Sequence, residues 1–576
     1  MNDQQASQMV IDRLSYAKTG RQMYELRAID NEQLYINYID ENTHPYLSNI
    51  SLPWSYIIVE SYLGKCIQML AAQMPYVRIV EEDEYSHGKA RKVERDANMV
   101  LYRQKWPILA YNAYKQAFKY PAAFIYEHPW GSVKGHEMPI FELMNFFHTW
   151  VNPSILSFDD EDAYAVWETF VPKKTFKKYE KSNKYKNLSK MVPYNKPIYE
   201  QNEMAIRSFK NLNDYPIDKY SELIQLLTYW DHENLILCTN EGQNVIRNSD
   251  AENDELVRGL GGHIPIKKIT PIPVENEFYG MSILEEGKDL FAECNENRNQ
   301  YNDAVNLMLN PQWIISRSSE VKRSMISSRP GAILFTEDVN GVKPMPMDWN
   351  LLAQSLARGG MIERDIMNYS NAFPQFRGGM TGGGKTATET IALQQSGELR
   401  SQTYNLLLAV MSVEDMVEDI VKFKKMFMTE DSQFFYWPDQ QTMKATPEDY
   451  QGNFTFQTFA AFKQMLEVER KQYIEAMTLI FGGANGAFLP FVMPKADQWL
   501  ERLIDYFEVR SPGQLMLSNQ ELQQAQMLQQ VQQVMQMIGG MTGGQQGRTA
   551  MGEREMRQPE GTPNLPTAPI MGNVMA

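Results

Sequence analysis

The sequence predicts an α+β protein that is mainly helical. Apolar residues recur at helical spacing near the N-terminus, between residues 282 and 310, and over much of the last third of the chain. Residues 121–170 and 222–270 instead show short alternating runs, which are typical of strands. Helices and strands that occupy separate stretches of a chain indicate the α+β class.

Length and composition limit the class of protein. The chain has 576 residues, of which 43% are hydrophobic and 11% aromatic, so it can build the cores of several domains. Its net charge is −15, from 56 basic and 71 acidic residues. Tight duplex binding needs a surplus of Lys and Arg, so this chain is better suited to surround DNA without gripping it.

Cysteine usage and hydropathy suggest the compartment. Cys66, Cys238 and Cys294 are far apart and form no CxxC motif, which favours a reducing cytoplasm. The first residues, MNDQQASQ, lack the apolar core of a signal peptide. The chain has no run of about eighteen apolar residues, so no membrane span is expected.

The N-terminal part predicts helices followed by strands. Helical spacing over residues 8–40 predicts a first helix, and a second helix follows to about residue 73. Residues 75–79, PYVRI, predict the first strand, and residues 86–120 are expected to be helical. The two regions of strand alternation come next, and the second of them predicts a meander.

Two charge runs lie in this part of the chain. Residues 159–162 read DDED, which suggests either a divalent metal site or a solvated turn. Residues 173–186 carry seven lysines with Phe176 and Tyr179 between them, which suggests either a contact with nucleic acid or an acidic partner, or a solvated helix surface. The solvated alternative is favoured for both because charge runs usually face water.

The strongest helical signal runs from Ser282 to Asn310. Ser282 and Glu285 form a capping box at its start, and Pro311 sets its end. Such a helix would be roughly 43 Å long at about 1.5 Å per residue. The predicted buried seam consists of Leu284, Gly287, Phe291, Cys294, Arg298, Tyr301, Val305 and Met308. Asparagines at 295, 297, 299, 302 and 306 cover the other faces, so we expect a strut that packs along one stripe.

A small β-unit follows the long helix. Apolar runs at residues 313–315, 332–335 and 342–346 predict strands, with turn residues between them. Helical spacing then resumes over residues 348–372. The order is therefore a long helix, a β-unit and a second helix.

A glycine-rich stretch contains the sharpest catalytic motif. Residues 379–386, GMTGGGKT, match G-x-x-x-x-G-K-[ST], whose backbone amides, Lys and Thr bind phosphates and magnesium in P-loop proteins. No buried strand precedes the motif, Pro374 argues against one, and no apolar strand ending in Asp follows. Nearly the same letters recur at residues 539–544 without the Lys. These observations favour a flexible loop over a nucleotide site.

Other signs of catalysis or metal binding are weak. The seven histidines fall in no HExxH or paired-ligand spacing, and no G-x-S-x-G motif is present. The sequence therefore predicts no catalytic residue, no metal site and no cofactor, and a protein that is not an enzyme.

The C-terminal third predicts further helices. They cover residues 404–426, 459–480, 496–507 and 518–538, and the last begins with a capping box. Residues 539–576 are rich in Gly, Pro, Thr and Met and are expected to be disordered.

Several short motifs, taken in order, resemble one family. They are PWSYIIVE at 53–60, PYVRI at 75–79, WVNP at 150–153, AYAVWE at 163–168, PIP at 271–273, YGMS at 279–282, NP at 310–311 and TATE at 386–389. This series resembles the portal proteins of tailed bacteriophages and spans most of the chain.

The resemblance implies an architecture as well as a function. A portal is a ring, usually of twelve subunits, with a wing, a stem, a clip, a channel loop and a helical crown. The resemblance assigns the wing to 1–279 and 387–489, the stem helices to 280–310 and 349–372, the clip to 311–348, the channel loop to 373–386, the crown to 490–538 and a tail to 539–576. The channel-loop residues facing DNA would be Arg377, Gly378, Gly379, Gly382, Gly383, Gly384 and Lys385.

The same resemblance implies the partners and the location. Double-stranded DNA would pass through the ring without sequence specificity, and no membrane would be involved. The protein partners would be the large terminase subunit, head-completion or adaptor proteins, tail proteins, the major capsid protein and the scaffold. The ring would be assembled in the host cytoplasm and retained in the virion. Two alternatives remain, a P-loop ATPase of the packaging motor and another virion structural protein.

Overall fold

Helix and sheet share the structure, as the sequence predicts. The computed structural model describes residues 1–39, 47–71, 74–133, 135–177, 179, 184–212, 222–309, 313–316, 342–344, 349–370, 402–436 and 441–458. Helices make up 49% and strands 22% of the described residues, which confirms the mixed helix-and-sheet class. The chain divides into two compact units, Met1–Glu508 and Val509–Ala576, and every described residue belongs to the first.

The regular elements follow one another in this order. The helices are α1 (Asp3–Tyr35), α2 (Trp54–Leu70), α3 (Ala90–Arg103), α4 (Trp106–Lys119), α5 (Lys173–Phe176), α6 (Gln201–Phe209), α7 (Glu255–Leu260), α8 (Lys288–Leu309), α9 (Trp349–Ser370) and α10 (Asp415–Phe427). The strands are β1 (Val77–Glu81), β2 (Ala123–Val133), β3 (His136–Met144), β4 (Thr149–Val151), β5 (Tyr164–Pro172), β6 (Leu223–Asp231), β7 (Asn234–Thr239), β8 (Asn244–Asp250), β9 (Ile266–Ile269), β10 (Trp313–Ile315), β11 (Val342–Pro344), β12 (Ser432–Tyr436), β13 (Gln441–Ala445) and β14 (Phe454–Thr458). Residues 402–408 are helical and continue through a π-helical turn, Ala409–Glu414, into α10.

A five-stranded antiparallel sheet has the order β4-β5-β6-β7-β8. Its consecutive strands β6, β7 and β8 confirm the meander predicted within residues 222–270. One face packs against α1, whose buried Ala6, Val10 and Ala17 join that core. The opposite face contributes Trp167 and Trp230 to a second core. Strands covered on both faces are apolar on both, which is why these runs are so hydrophobic.

A second sheet and a long-range strand pair connect distant parts of the chain. The sheet has the order β3-β2-β9, with all neighbours antiparallel. β1 pairs with β14, so the segment at 454–458 returns to the N-terminal region. The largest core lies among α2, α3, α4 and α10, and it also takes in Phe291 of α8 and Ile366 of α9. The bases of α8 and α9 are thereby fixed to this core.

Two helix predictions need correction. The helix expected over 86–120 is two helices, because Lys105 between them has a φ of +58°, a left-handed conformation that interrupts α-helical geometry. The helix expected from Ser282 begins only at Lys288. Before it, residues 283–287 form turns, in which the N–H groups of Glu285 and Gly287 bond the carbonyls of Ser282 and Leu284, three residues earlier.

The structure describes residues 173–177, 179 and 184–186 of the basic stretch. Among these residues it has the four-residue α5, whose Phe176 is buried in the core of the five-stranded sheet. Lys173 pairs with Glu222 at 2.8 Å, and Lys184 pairs with Asp254 at 2.9 Å. Part of the positive charge is therefore used within the chain.

The remaining predictions either agree with the structure or concern residues outside the described ranges. Strands occur at 313–315 and 342–344, and α9 matches the helix predicted at 348–372. The predicted strand at 332–335, the glycine-rich stretch at 373–386 and everything after residue 458 lie outside the described residues. Among the described helices, none is long and apolar enough to cross a membrane.

Candidate functional site

The unit formed by α8, β10, β11 and α9 is the candidate site, here called the paired-helix unit. The two helices run antiparallel, since residues later in α8 contact residues earlier in α9. Glu293 pairs with Arg358 at 2.8 Å, and Asn297 donates to the Ser355 carbonyl at 3.3 Å. With 22 residues, α8 is roughly 33 Å long at about 1.5 Å per residue.

The base of this unit is closely packed. Tyr369 near the end of α9 donates from its hydroxyl to the carbonyl of Ile283 at 2.6 Å. A Cβ at Gly287 would lie 2.6 Å from the rings of both Phe291 and Tyr369, so only glycine fits there. Phe291 and Cys294 are buried as the predicted seam requires, but Asn297 is buried where Arg298 was expected. The apolar seam therefore holds only in the first half of α8.

Two asparagines and an aspartate of α8 bind a segment that precedes α2. Asn295, Asn299 and Asp303 accept the backbone N–H groups of Leu52, Ile50 and Ser48 at 2.8, 2.8 and 2.6 Å. Four residues of helix rise about 6 Å and two extended residues about 6.6 Å, so the two repeats match. We call this contact the asparagine ladder, and it explains why one face of α8 is polar without facing only water.

The outer part of the paired-helix unit exposes large apolar side chains. In α9, Leu351, Leu356 and Met361 are 64%, 59% and 62% exposed. The same is true, to differing degrees, of Leu307, Leu309, Trp313, Ile314 and Ile315. A concentration of exposed large apolar side chains in one unit suggests a site of contact with other protein.

The two strands between the helices form a minimal antiparallel pair. Trp313 faces Pro344, Ile314 faces Lys343 and Ile315 faces Val342. A two-stranded ribbon of this length is only marginally stable by itself in water, so it needs stabilising contacts with other protein segments.

The glycine-rich loop predicted to contact DNA lies outside the described residues. This applies to Arg377, Gly378, Gly379, Gly382, Gly383, Gly384 and Lys385 alike. The helical stretch after the gap is tied firmly to the body of the chain. Asp96 of α3 accepts hydrogen bonds from Lys424 of α10 and from the Tyr450 hydroxyl, and Ser432 donates to the same carboxylate at 3.1 Å.

A second buried charged cluster joins α10 to the three-stranded sheet. Glu127 of β2, His263 and Asp419 of α10 offer ligand atoms that all lie within 4.8 Å of one another. Lys267 of β9 contacts Asp419 at 2.7 Å, and His263 Nε2 contacts the same carboxylate oxygen at 3.1 Å. Burial and the charge of Asp419 raise the pKa of Glu127 well above its usual range. Burial opposes ionisation of Asp419, but His263, Glu127 and Lys267 hold its pKa below the usual range.

The acidic run at 159–162 forms a turn, as the favoured alternative predicted. The carboxylate of Asp160 accepts the backbone N–H groups of Leu156 and Ser157 at 2.7 and 3.2 Å. These bonds lower its pKa. This carboxylate therefore stabilises the turn.

Comparisons with known proteins add no relative. The chain matches no known protein family, and no curated protein matches it either.

Sequence reasoning missed both the asparagine ladder and the cluster around Glu127. The ladder has a signal in the sequence, since Asn295, Asn299 and Asp303 repeat every four residues along a helix. The cluster has none, because Glu127, His263 and Asp419 lie far apart in the chain and only the fold brings them together.

Proposed function

We propose that this chain is the portal protein of a tailed bacteriophage. In this role it forms a ring at one vertex of the capsid, through which double-stranded DNA is packaged and later ejected. The packaging motor and then the tail dock on the same ring. The chain catalyses no reaction itself.

The observation that carries the proposal is the paired-helix unit with its exposed apolar side chains. Its order of helix, strand pair and helix agrees with the stem and clip that the sequence resemblance implies. The base of α8 is packed into the core, whereas Leu351, Leu356 and Met361 of α9 are exposed in the part of the chain that the structure describes. Other copies of the same chain are the occupants that the proposal assigns to this surface.

A ring follows from the kind of contact expected. The exposed apolar residues lie on α8, β10 and α9. Head-to-tail contacts between different surfaces of identical chains close into rings when the rotation between subunits allows it. The short β10–β11 ribbon also gains support from neighbours in such an arrangement.

The charge of the chain suits a conduit for DNA. Its net charge is −15, and each phosphate contact inside a channel would add a salt-dependent barrier to sliding. On this proposal Arg377 and Lys385 make weak, transient contacts on either side of a glycine-rich loop. The partners are those named for the family, with the terminase and the tail proteins at the clip.

The test is whether the exposed surface of α9 drives assembly. The double variant Leu356→Glu and Met361→Glu places charges on that surface, and we expect it to remain folded but to stay monomeric. A matched variant, Tyr85→Glu, changes another highly exposed side chain and should assemble like the wild type. Equal assembly of all three proteins would contradict the proposed role of this surface.

A further inference from the structure

A fully buried carboxyl group without a hydrogen-bond donor points to a binding site in the wing region. Glu127 is 0% exposed, and neither of its carboxylate oxygens has a hydrogen-bond donor in the described part of the chain. A buried charge without a partner is costly, so such a group is either neutral or bound to something.

The neighbouring groups form a ligand set. Asp419 is also 0% exposed, and His263 is partly exposed, which gives a path from the solvent. Two carboxylates and one imidazole, with ligand atoms within 4.8 Å of one another, need only small side-chain adjustments to surround one ion. Mixed oxygen and nitrogen ligands of this kind suit zinc and manganese better than magnesium.

In the described part of the chain, the nearby lysines form ion pairs with Asp419 and not with Glu127. Lys267 contacts Asp419 at 2.7 Å, and the more exposed Lys422 lies 3.6 Å from the other oxygen of Asp419. Asp415 adds a further acidic group close to Lys267. The positive charges are thus directed at Asp419, while Glu127 is left without a donor.

We propose that Glu127, His263 and Asp419 bind one divalent transition-metal ion, which fastens α10 to the three-stranded sheet. The ion supplies the partner that both carboxylate oxygens of Glu127 lack in the described part of the chain. The positive charge of Lys267 repels a bound cation. The affinity of the site for the metal ion should therefore be well below that of a zinc site with four protein ligands. Three protein ligands leave the fourth position to water. The proposed role is structural because the three ligands come from separate parts of the fold.

Calorimetry of the full-length protein tests the site, with ZnCl₂ and MnCl₂ as probes after treatment with EDTA. We expect about one Zn²⁺ per chain, a raised melting temperature and little response to Mg²⁺. Glu127→Gln and His263→Gln should each weaken Zn²⁺ binding by at least about tenfold, since loss of even indirect support costs that much. Gln at 127 keeps the shape of the neutral acid, so this variant should fold.

His87→Gln is the matched control, because the His87 side chain is 87% exposed and pairs only with Glu81 at the surface. It should bind Zn²⁺ like the wild type. Absence of binding in the wild type would overturn the proposal and leave a protonated Glu127 bonded to Asp419. Binding that survives Glu127→Gln, or that is lost in His87→Gln, would overturn it as well.

Discussion

Asn299 of α8 forms two hydrogen bonds with the backbone of Ile50. Its side-chain oxygen accepts the Ile50 N–H at 2.8 Å, and its amide donates to the Ile50 carbonyl at 3.1 Å. An extended segment is thereby paired with the side of a helix much as a strand is paired with another strand. The asparagines of α8 thus connect the long helix to the N-terminal region through backbone contacts.

Replacing the central residue of the asparagine ladder should loosen the extended segment. Asn299→Ala removes both bonds to Ile50, and each is worth about 0.5–1.5 kcal/mol. We expect faster hydrogen exchange of the Ile50 amide and a lower melting temperature. Asn306→Ala changes an exposed asparagine of the same helix and should leave both unchanged. Unaltered exchange at Ile50 in Asn299→Ala would show that the ladder does not hold the segment.

Two substitutions in α9 should separate folding from assembly. Ile366 is 0% exposed in the main core, so Ile366→Ala should lower the free energy of unfolding by about 2–5 kcal/mol. Leu356→Ala, on the outer surface, should change that energy by less than about 0.5 kcal/mol and yet weaken assembly. Thermal unfolding and mass photometry report the two effects. A large loss of stability in Leu356→Ala would mean that its side chain is covered within one chain.

The stability of the region around the five-stranded sheet should fall as the pH rises towards 9. His148 lies between Glu168 at 2.7 Å and Glu203 at 2.9 Å. Burial alone would lower the pKa of His148, but these two carboxylates raise it to about 9. The folded protein therefore binds this proton more tightly than the unfolded chain, whose histidine has a pKa of about 6.5.

The sign of the effect follows from proton binding. The stabilisation is complete below pH of about 6.5 and is lost as the pH rises through the folded pKa of about 9. His148→Gln should remove this part of the dependence of melting temperature on pH, whereas the exposed His87→Gln should retain it. If the two variants gave the same profile as the wild type, the charged pairing of His148 would be wrong.

The glycine-rich loop gives a prediction that separates two functions. A P-loop ATPase would bind Mg-ATP through Lys385, and Lys385→Ala would abolish that binding. As a channel loop, residues 373–386 should bind no ATP in the wild type, and Lys385→Ala should change DNA packaging or retention only modestly. Calorimetry with Mg-ATP decides this, and micromolar binding that is lost in the variant would favour the enzyme.

The sequence correctly predicted most of the helices and strands whose positions are determined by hydrophobic periodicity alone. The meander of β6 to β8, the strands β10 and β11, and the helices α1, α2 and α9 lie close to their predicted places. The predicted start of α8 was wrong because contacts with residues outside the helix determine where the helix begins. Ser282 donates to the carbonyl of Phe118 at 2.7 Å, and Gly287 lies against Tyr369, so the turn before Lys288 is fixed by its neighbours.

The candidate site was predictable only in outline. The order of long helix, β-unit and helix can be deduced from the sequence. The exposure of Leu356 and Met361, in contrast, can be deduced only once the packing of α9 against α8 is known. The cluster of Glu127, His263 and Asp419 depends on a strand, the loop before β9 and a helix meeting in space. No local pattern carries such information.

The most direct measurement of the central claim is negative-stain electron microscopy of the purified full-length protein, combined with its mass. We predict closed rings with a central hole and a mass of about 800 kDa, as expected for twelve chains of 66.6 kDa. A ring of another subunit number would still support the portal assignment. Folded particles of monomer or dimer size alone, at micromolar concentration and with scaffold protein present, would contradict it.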